Sequence, residues 1–100
     1  MVGKQRKVTV SLRLPVSFRK EGCVFVAYSP DLDISTHANT FELAEKRFKE
    51  LVVIFFEELV ENNSIDETLH ELNWRKIDKK WQPPVVVATE SLKLEVPVCV

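Results

Sequence analysis

The stretch Gly22–Glu61, GCVFVAYSPDLDISTHANTFELAEKRFKELVVIFFEELVE, decides the fold of this chain. Residues 23–29 are apolar on both faces of an extended chain, which predicts a central strand of a sheet. The pair Pro30-Asp31 breaks this strand, because proline presets its backbone dihedral and aspartate bonds to its own backbone in turns. Residues 34–38 then predict a short third strand. Strands followed by a helix in this order indicate an α+β domain.

A long amphipathic helix is predicted over residues 41–61. Thr40 is a suitable N-cap, since its hydroxyl can accept a hydrogen bond from a free backbone N–H of the first turn. Glu42 lies in that turn, where the helix dipole favours an acid. Apolar residues at helical spacing predict one stripe that packs on the sheet. The stripe consists of Ala44, Phe48, Leu51, Val52, Phe55 and Leu59.

A second apolar group on the same helix lies away from this core stripe. Val53, Phe56 and Val60 fall roughly opposite the stripe or well to its side, at about 100° per residue. A small domain has one sheet for the helix to cover, so this group needs another partner. We expect a contact with a second chain in a homo-oligomer, a dimer or tetramer, and we name these residues as interface candidates. The alternative is that the C-terminal third of the chain folds back over them.

The first strand is predicted over residues 8–18, where apolar and polar residues alternate with period two. Pro15 lacks an N–H donor and therefore belongs near a strand end, at a bulge or at a sheet edge. Residues 19–22 are expected to form the turn. This spacing favours an antiparallel hairpin between the first strand and the central one.

The C-terminal part of the chain is expected to add a short helix and two strands. Ser64 and Glu67 match a capping box, with serine at the N-cap and glutamate three residues later. Residues 74–84 contain both tryptophans and end in two prolines, which predicts an irregular connector. Residues 85–88 and 92–100 predict strands. The element order is thus β-β-β-α-α-β-β, with an antiparallel sheet and one long helix packed on it.

Length and composition fit a single domain over residues 1–100. The formal net charge of −1 argues against a dedicated nucleic-acid-binding protein, which usually carries a strongly basic face. The longest apolar run, residues 51–56, is far shorter than a membrane-spanning helix. No apolar targeting segment is recognisable near Met1. We expect a cytoplasmic protein that contacts no membrane and does not bind nucleic acid directly.

No catalytic or metal-binding pattern is recognisable in the sequence. Cys23 and Cys99 are too far apart for a metal site and lie in apolar strand patterns, which predicts buried or half-buried, reduced thiols. His37 and His70 have no neighbours at metal-ligand spacing and are expected to be solvated. The chain has two glycines and no glycine-rich phosphate loop. We predict a protein that is not an enzyme and that uses no cofactor or metal.

Two groups of acidic residues have more than one interpretation. Asp31 and Asp33 could hold a divalent cation only with carboxylates from elsewhere, and turn formation explains them without a cation. An acidic side of a helix is typical of a solvated face, although it would also suit a basic partner. That side consists of Glu50, Glu57, Glu58 and Glu61.

Part of the chain resembles the HicB antitoxin family. The resemblance lies in the sequence V-A-Y-S-P-D-L, a short polar strand after it, and N-T-F-E-L-A at the start of a long helix. The resemblance covers about residues 8–62. The chain departs from the family pattern at Asp33-Ile34-Ser35, where Pro-Gly-Cys is usual, and at Leu43, where a second glutamate is usual. The matching turn and cap residues are Tyr28, Pro30, Asp31, Leu32, Thr40, Glu42 and Ala44.

This resemblance implies a HicB-like fold, a reduced RNase H-like β-β-β-α-β domain without the catalytic acids. It also implies a place in a toxin–antitoxin system, as an antitoxin that binds and neutralises a small basic RNase toxin, a HicA-like protein, by protein–protein interaction. Such antitoxins commonly form homo-oligomers. Residues 74–100 do not resemble the DNA-binding module of many full antitoxins. The alternative is a stand-alone homo-oligomeric interaction or regulatory module of uncharacterised function with no toxin partner.

Overall fold

The computed structural model describes residues 12–99 and shows a small α+β protein. Its main sheet is antiparallel and three-stranded, in the order β1-β2-β3, and a separate antiparallel hairpin joins β4 and β5. The long helix α1 contacts β2 and β3, and the short helix α2 contacts α1. The elements are β1 (Ser17–Glu21), β2 (Val24–Ser29), β3 (Ile34–Ala38), α1 (Phe41–Glu61), α2 (Ile65–Glu71), β4 (Arg75–Ile77) and β5 (Lys80–Gln82).

A tight turn joins β1 to β2. Glu21 pairs with Val24, so the loop is only Gly22-Cys23. Gly22 has a φ of +62°, which glycine adopts without a steric cost. A two-residue loop with glycine first is typical of a type II′ hairpin, whose twist matches that of the strands.

This short turn corrects the predicted position of the first strand. The prediction ended the strand at residue 18 and used 19–22 as the turn, whereas β1 continues to Glu21. Residues 12–16 are not part of a strand, in keeping with the missing donor of Pro15. Residues 8–11 of the predicted strand lie outside the described part of the chain.

The structure confirms the predicted helix α1 and its cap. Thr40 has extended backbone angles, and its Oγ1 accepts a hydrogen bond of 3.1 Å from the backbone N–H of Leu43. The predicted core stripe faces the interior as well. Ala44, Phe48 and Leu59 are buried, and the other three members are half-buried.

Both helices end in the same hydrogen-bonded motif. After α1, the N–H of Ser64 donates to the carbonyl of Leu59, and Asn63 has a left-handed φ of 56°. After α2, the N–H of Trp74 donates to the carbonyl of Leu69, and Asn73 has a φ of 67°. These are Schellman motifs with asparagine in the usual glycine position. They turn the chain sharply twice, so that α2 and the following hairpin return towards α1.

The predicted capping box at the start of α2 is only partly present. Ser64 is the N-cap, as predicted, but its side chain makes no capping hydrogen bond. Its ψ of 13° is not the extended value that a capping serine usually has. The reason is that the N–H of Ser64 also closes the Schellman motif of α1, which fixes the backbone on the other side of this residue.

The two C-terminal strands differ from the prediction in position and length. Residues 83–99 contain no strand, although 85–88 and 92–100 were predicted as strands, and Val100 lies outside the described residues. The two strands instead form a hairpin within 74–84, the segment predicted as irregular. Its turn, Asp78-Lys79, has two left-handed residues with φ of 51° and 66°, as a type I′ turn requires.

Candidate functional site

The outward side of α1 carries an apolar cluster that nothing in the described part of the chain covers. Val53, Ile54 and Val60 expose 57%, 51% and 45% of their surface. Val53 and Val60 were interface candidates from the sequence, whereas Ile54 was missed. Ile54 follows Val53 directly and lies about 100° further round the helix. It was not separated from the core residues because it belongs to the continuous apolar run 51–56.

Phe56, the third interface candidate, is placed differently. Its side chain is half-buried and packs against the core cluster of Leu32, Leu69 and Trp74. The Phe56 and Trp74 rings meet edge to face, with their centroids 6.3 Å apart. Part of the C-terminal third therefore folds back over Phe56, which was the alternative interpretation of the second stripe. An interface role for Val53 and Val60 stays a prediction.

Exposed carboxylates lie next to these apolar residues along α1, and Lys49 lies one turn before Val53. Glu50, Glu57, Glu58 and Glu61 are all exposed, and no basic residue lies in the last turn of α1. Glu58 and Glu61 lie in the last turn, where acids oppose the helix dipole and cost about 0.3–1 kcal/mol each. Helix stability therefore does not explain the position of these two. We call Val53, Ile54 and Val60, together with these four glutamates, the outer α1 surface.

The turn after β2 is held by side-chain hydrogen bonds. The Tyr28 hydroxyl donates to Oδ1 of Asp33 over 3.2 Å, and this bond raises the pKa of Tyr28. The backbone N–H of Leu32 donates to Oγ of the fully buried Ser29 over 3.2 Å. Asp33 has a φ of 55°, which aspartate tolerates better than most residues. These contacts support turn formation as the role of this motif.

The same turn is anchored to the C-terminal part of the chain. Nε1 of Trp74 donates to the carbonyl of Asp31 over 2.9 Å, across 43 residues of sequence. Leu32 and Trp74 are each 2% exposed and share the core cluster with Leu69. Two residues that match the HicB pattern thus have structural roles. Leu32 packs in the core, and the backbone carbonyl of Asp31 accepts the hydrogen bond from the buried indole of Trp74.

Asp31 also carries a buried carboxylate oxygen. Its Oδ2 has no hydrogen-bond partner within residues 12–99, and burial raises the pKa of this carboxyl. A raised pKa means that the folded state holds this proton more tightly than the unfolded chain does. Stability from the neutral form is therefore present below the ordinary pKa of 3.8 and is lost as the pH rises through the folded value.

We expect Asp31→Asn to raise the stability of the protein relative to wild type at neutral pH. The amide stays uncharged, so the stability difference between variant and wild type should grow as the pH rises from about 4 to about 7. Urea unfolding at several pH values measures this difference. Glu90→Gln, at an exposed carboxyl, is the matched control. A difference that stays constant over this pH range would contradict the burial argument.

The remaining residues of the resemblance motif are structural too. Thr40 caps α1, Glu42 is exposed in its first turn, and Ala44 is fully buried. Pro30 is exposed at the start of the turn. The motif residues therefore shape the turn, the cap and the core, and the structure does not gather them into a binding pocket.

The cysteine prediction is wrong, because both Cys23 and Cys99 are exposed free thiols. Cys23 lies in the tight turn rather than in the strand, so its side chain does not reach the core. His37 and His70 are exposed, as expected. Across residues 12–99, no group of three or more histidine, cysteine or acidic side chains is placed to bind a metal ion.

Within residues 12–99, no helix has the length and apolar character needed to cross a membrane. Comparison with protein-family models, with curated proteins and with solved structures finds no match to this chain.

Proposed function

We propose that this protein is a HicB-like, antitoxin-type binding module, which neutralises a small basic RNase toxin through the outer α1 surface. The observation that carries this proposal is the exposure of Val53, Ile54 and Val60 beside four exposed glutamates on α1. Apolar residues supply the dry centre of an interface, and charges at its rim select the partner. The resemblance of residues 8–62 to the HicB family supplies the kind of partner.

The last two turns of this surface are acidic and suit a basic partner. Glu57, Glu58 and Glu61 are exposed there, and no basic residue lies in the last turn of α1. A basic protein would pair with the same glutamates. It would also relieve the unfavourable interaction between these acids and the helix C-terminus.

The test is binding to the small basic protein encoded by a reading frame next to this one. Calorimetric titration should show binding that weakens with added salt. Glu57→Lys/Glu61→Lys should weaken it at least about tenfold, because two attractive pairs become repulsive. Glu67→Lys/Glu71→Lys makes the same charge change at exposed positions of α2 and should bind like wild type.

Two results would overturn the proposal. One is the lack of any small basic protein encoded beside this chain that binds to it. The other is equal weakening by both double variants, which would place the contact away from the outer α1 surface. The protein would then be the second candidate, a stand-alone homo-oligomeric interaction module. The observation that favours this candidate is the exposed apolar chain that follows β5.

A further inference from the structure

Residues 83–99, which we call the C-terminal arm, leave the body of the protein without forming a helix or a strand. Beyond the half-buried Pro83 and Pro84 every residue of the arm is exposed. The apolar side chains of the arm expose between 59% and 94% of their surface. They are Val85, Val86, Val87, Leu92, Leu94, Val96 and Val98.

The distal half of the arm has the pattern of a strand that lacks a neighbour. Apolar side chains at 92, 94, 96 and 98 alternate with polar residues and Pro97. The radius of gyration is 17.6 Å, against about 13 Å for a compact domain of this size. An extended segment with one apolar face can gain stability by pairing with a sheet edge, which satisfies its backbone hydrogen bonds.

The main sheet has two outer edges, and they differ. On β3, the carbonyl of His37 already accepts a hydrogen bond of 3.1 Å from Nη1 of Arg47, so that edge is partly capped. On β1, the pair Glu21 and Val24 closes a two-residue turn and is therefore hydrogen-bonded. By alternation, the backbone groups of Phe18 and Lys20 point away from β2. No backbone partner for them lies within residues 12–99.

We infer that the C-terminal arm of one copy pairs antiparallel with the outer edge of β1 in a second copy, with Val96 opposite Phe18. In this register both apolar side chains lie on the sheet face that α1 covers. Pro97 falls opposite Ser17, whose backbone groups point towards β2. The missing N–H of Pro97 therefore costs no hydrogen bond in the new ladder.

Charge selects this register among its neighbours. It places Glu95 opposite Arg19 and Lys93 opposite Glu21, two pairs of opposite sign on the outer face of the sheet. A slip of two residues one way sets Glu95 against Glu21, and a slip the other way sets Lys93 against Arg19. Both slips oppose like charges, and a slip of one residue would turn the apolar side chains outward.

The size of the contact is sufficient for a stable pair of chains. The arm begins beside residues 13–15, where a groove of about 520 Å³ is lined by both segments, and then makes no return to its own body. The paired segments are residues 92–98 of each arm and residues 16–22 of each edge. Ordinary interfaces bury roughly 30–40 Å² per contributing residue, so these four segments of seven residues amount to about 1,000 Å². This reaches the roughly 1,000 Å² expected of a specific interface. The outer α1 surface is not part of this contact. Arm exchange can therefore be tested independently of toxin binding.

The test exchanges charges without changing the net charge of the chain. The edge variant is Arg19→Glu/Glu21→Lys, and the arm variant is Lys93→Glu/Glu95→Lys. We expect wild type to be a dimer in light scattering over a concentration series, and each variant alone to dimerise at least about tenfold more weakly. An equimolar mixture of the two variants should regain wild-type dimerisation, because every edge then meets an arm of opposite charge in the other chain.

Three outcomes would overturn arm exchange. One is a wild type that stays monomeric at every concentration used, since the arm would then have no partner chain. A second is dimerisation that neither variant weakens, because such a dimer forms through another surface. Dimerisation that recovers when all four substitutions are in one chain, but not in the mixture, would show that each arm pairs within its own chain.

Discussion

Replacing Trp74 by alanine will lower the free energy of unfolding by about 3–5 kcal/mol, the usual cost of removing a large aromatic side chain from a core. Trp74 is 2% exposed and packs in the core cluster with Leu32 and Leu69. It also covers Phe56 and bonds to the turn after β2. The loss is a large part of the 5–15 kcal/mol typical of a domain, so the variant should be partly unfolded at 37 °C.

A second variant separates the two contributions of this side chain. Trp74→Phe keeps most of the ring but leaves the Asp31 carbonyl without its donor, which should cost about 1–3 kcal/mol. Trp81→Phe is the matched control, because Trp81 is only half-buried and packs at the margin of the cluster. Urea unfolding followed by far-ultraviolet circular dichroism measures all three variants. If Trp74→Ala shifted the midpoint no more than Trp81→Phe does, Trp74 would not anchor the C-terminal part.

The importance of Trp74 shows where sequence patterns stop being informative. The segment 74–84 was predicted as an irregular connector, because its charges and prolines give no periodic signal. The contact that makes Trp74 central is a hydrogen bond to a residue 43 positions earlier in the chain. No local pattern encodes such a pair. Of the two tryptophans in this segment, Trp74 is buried and Trp81 is only half-buried.

Local signals were sufficient for the middle of the chain. The helix over 41–61, the N-cap at Thr40 and the short strand over 34–38 were predicted with the bounds that the structure shows. Caps, turns and helical periodicity depend on residues within a few positions of one another, and here they agree. The strands predicted at 85–88 and 92–100 had equally clear alternation, but a strand also needs a neighbour, and the arm pairs with no strand within residues 12–99.

The candidate surface was predicted in part for the same reason. Helical spacing identified Val53 and Val60 as lying outside the core stripe, and both are exposed. Helical spacing could not show that Phe56 is covered, because Trp74, which covers it, lies beyond two turns that follow α1. The two left-handed asparagines, Asn63 and Asn73, direct the chain back, and asparagine at these positions is a weaker sequence signal than glycine.

Phe56→Asp will destabilise the fold itself, by about 2–4 kcal/mol, rather than act only on assembly between chains. The sequence pattern named Phe56 as an interface candidate, and a charge at an interface position acts on assembly alone. The structure changes that expectation, because the Phe56 ring packs against Phe55 at 5.4 Å and Trp74 at 6.3 Å between centroids. The variant loses these contacts and places a carboxylate beside a buried cluster, where an unpaired charge is costly.

Val53→Asp is the matched control for Phe56→Asp. Val53 lies one turn earlier on the same helix and is 57% exposed, so the same substitution should change stability by no more than about 0.5 kcal/mol. Urea unfolding at matched protein concentration should therefore separate the two variants clearly. Equal midpoints would mean that Trp74 does not cover Phe56 in solution. Because Val53→Asp leaves the fold intact, any loss of partner binding by that variant reports on the outer α1 surface alone.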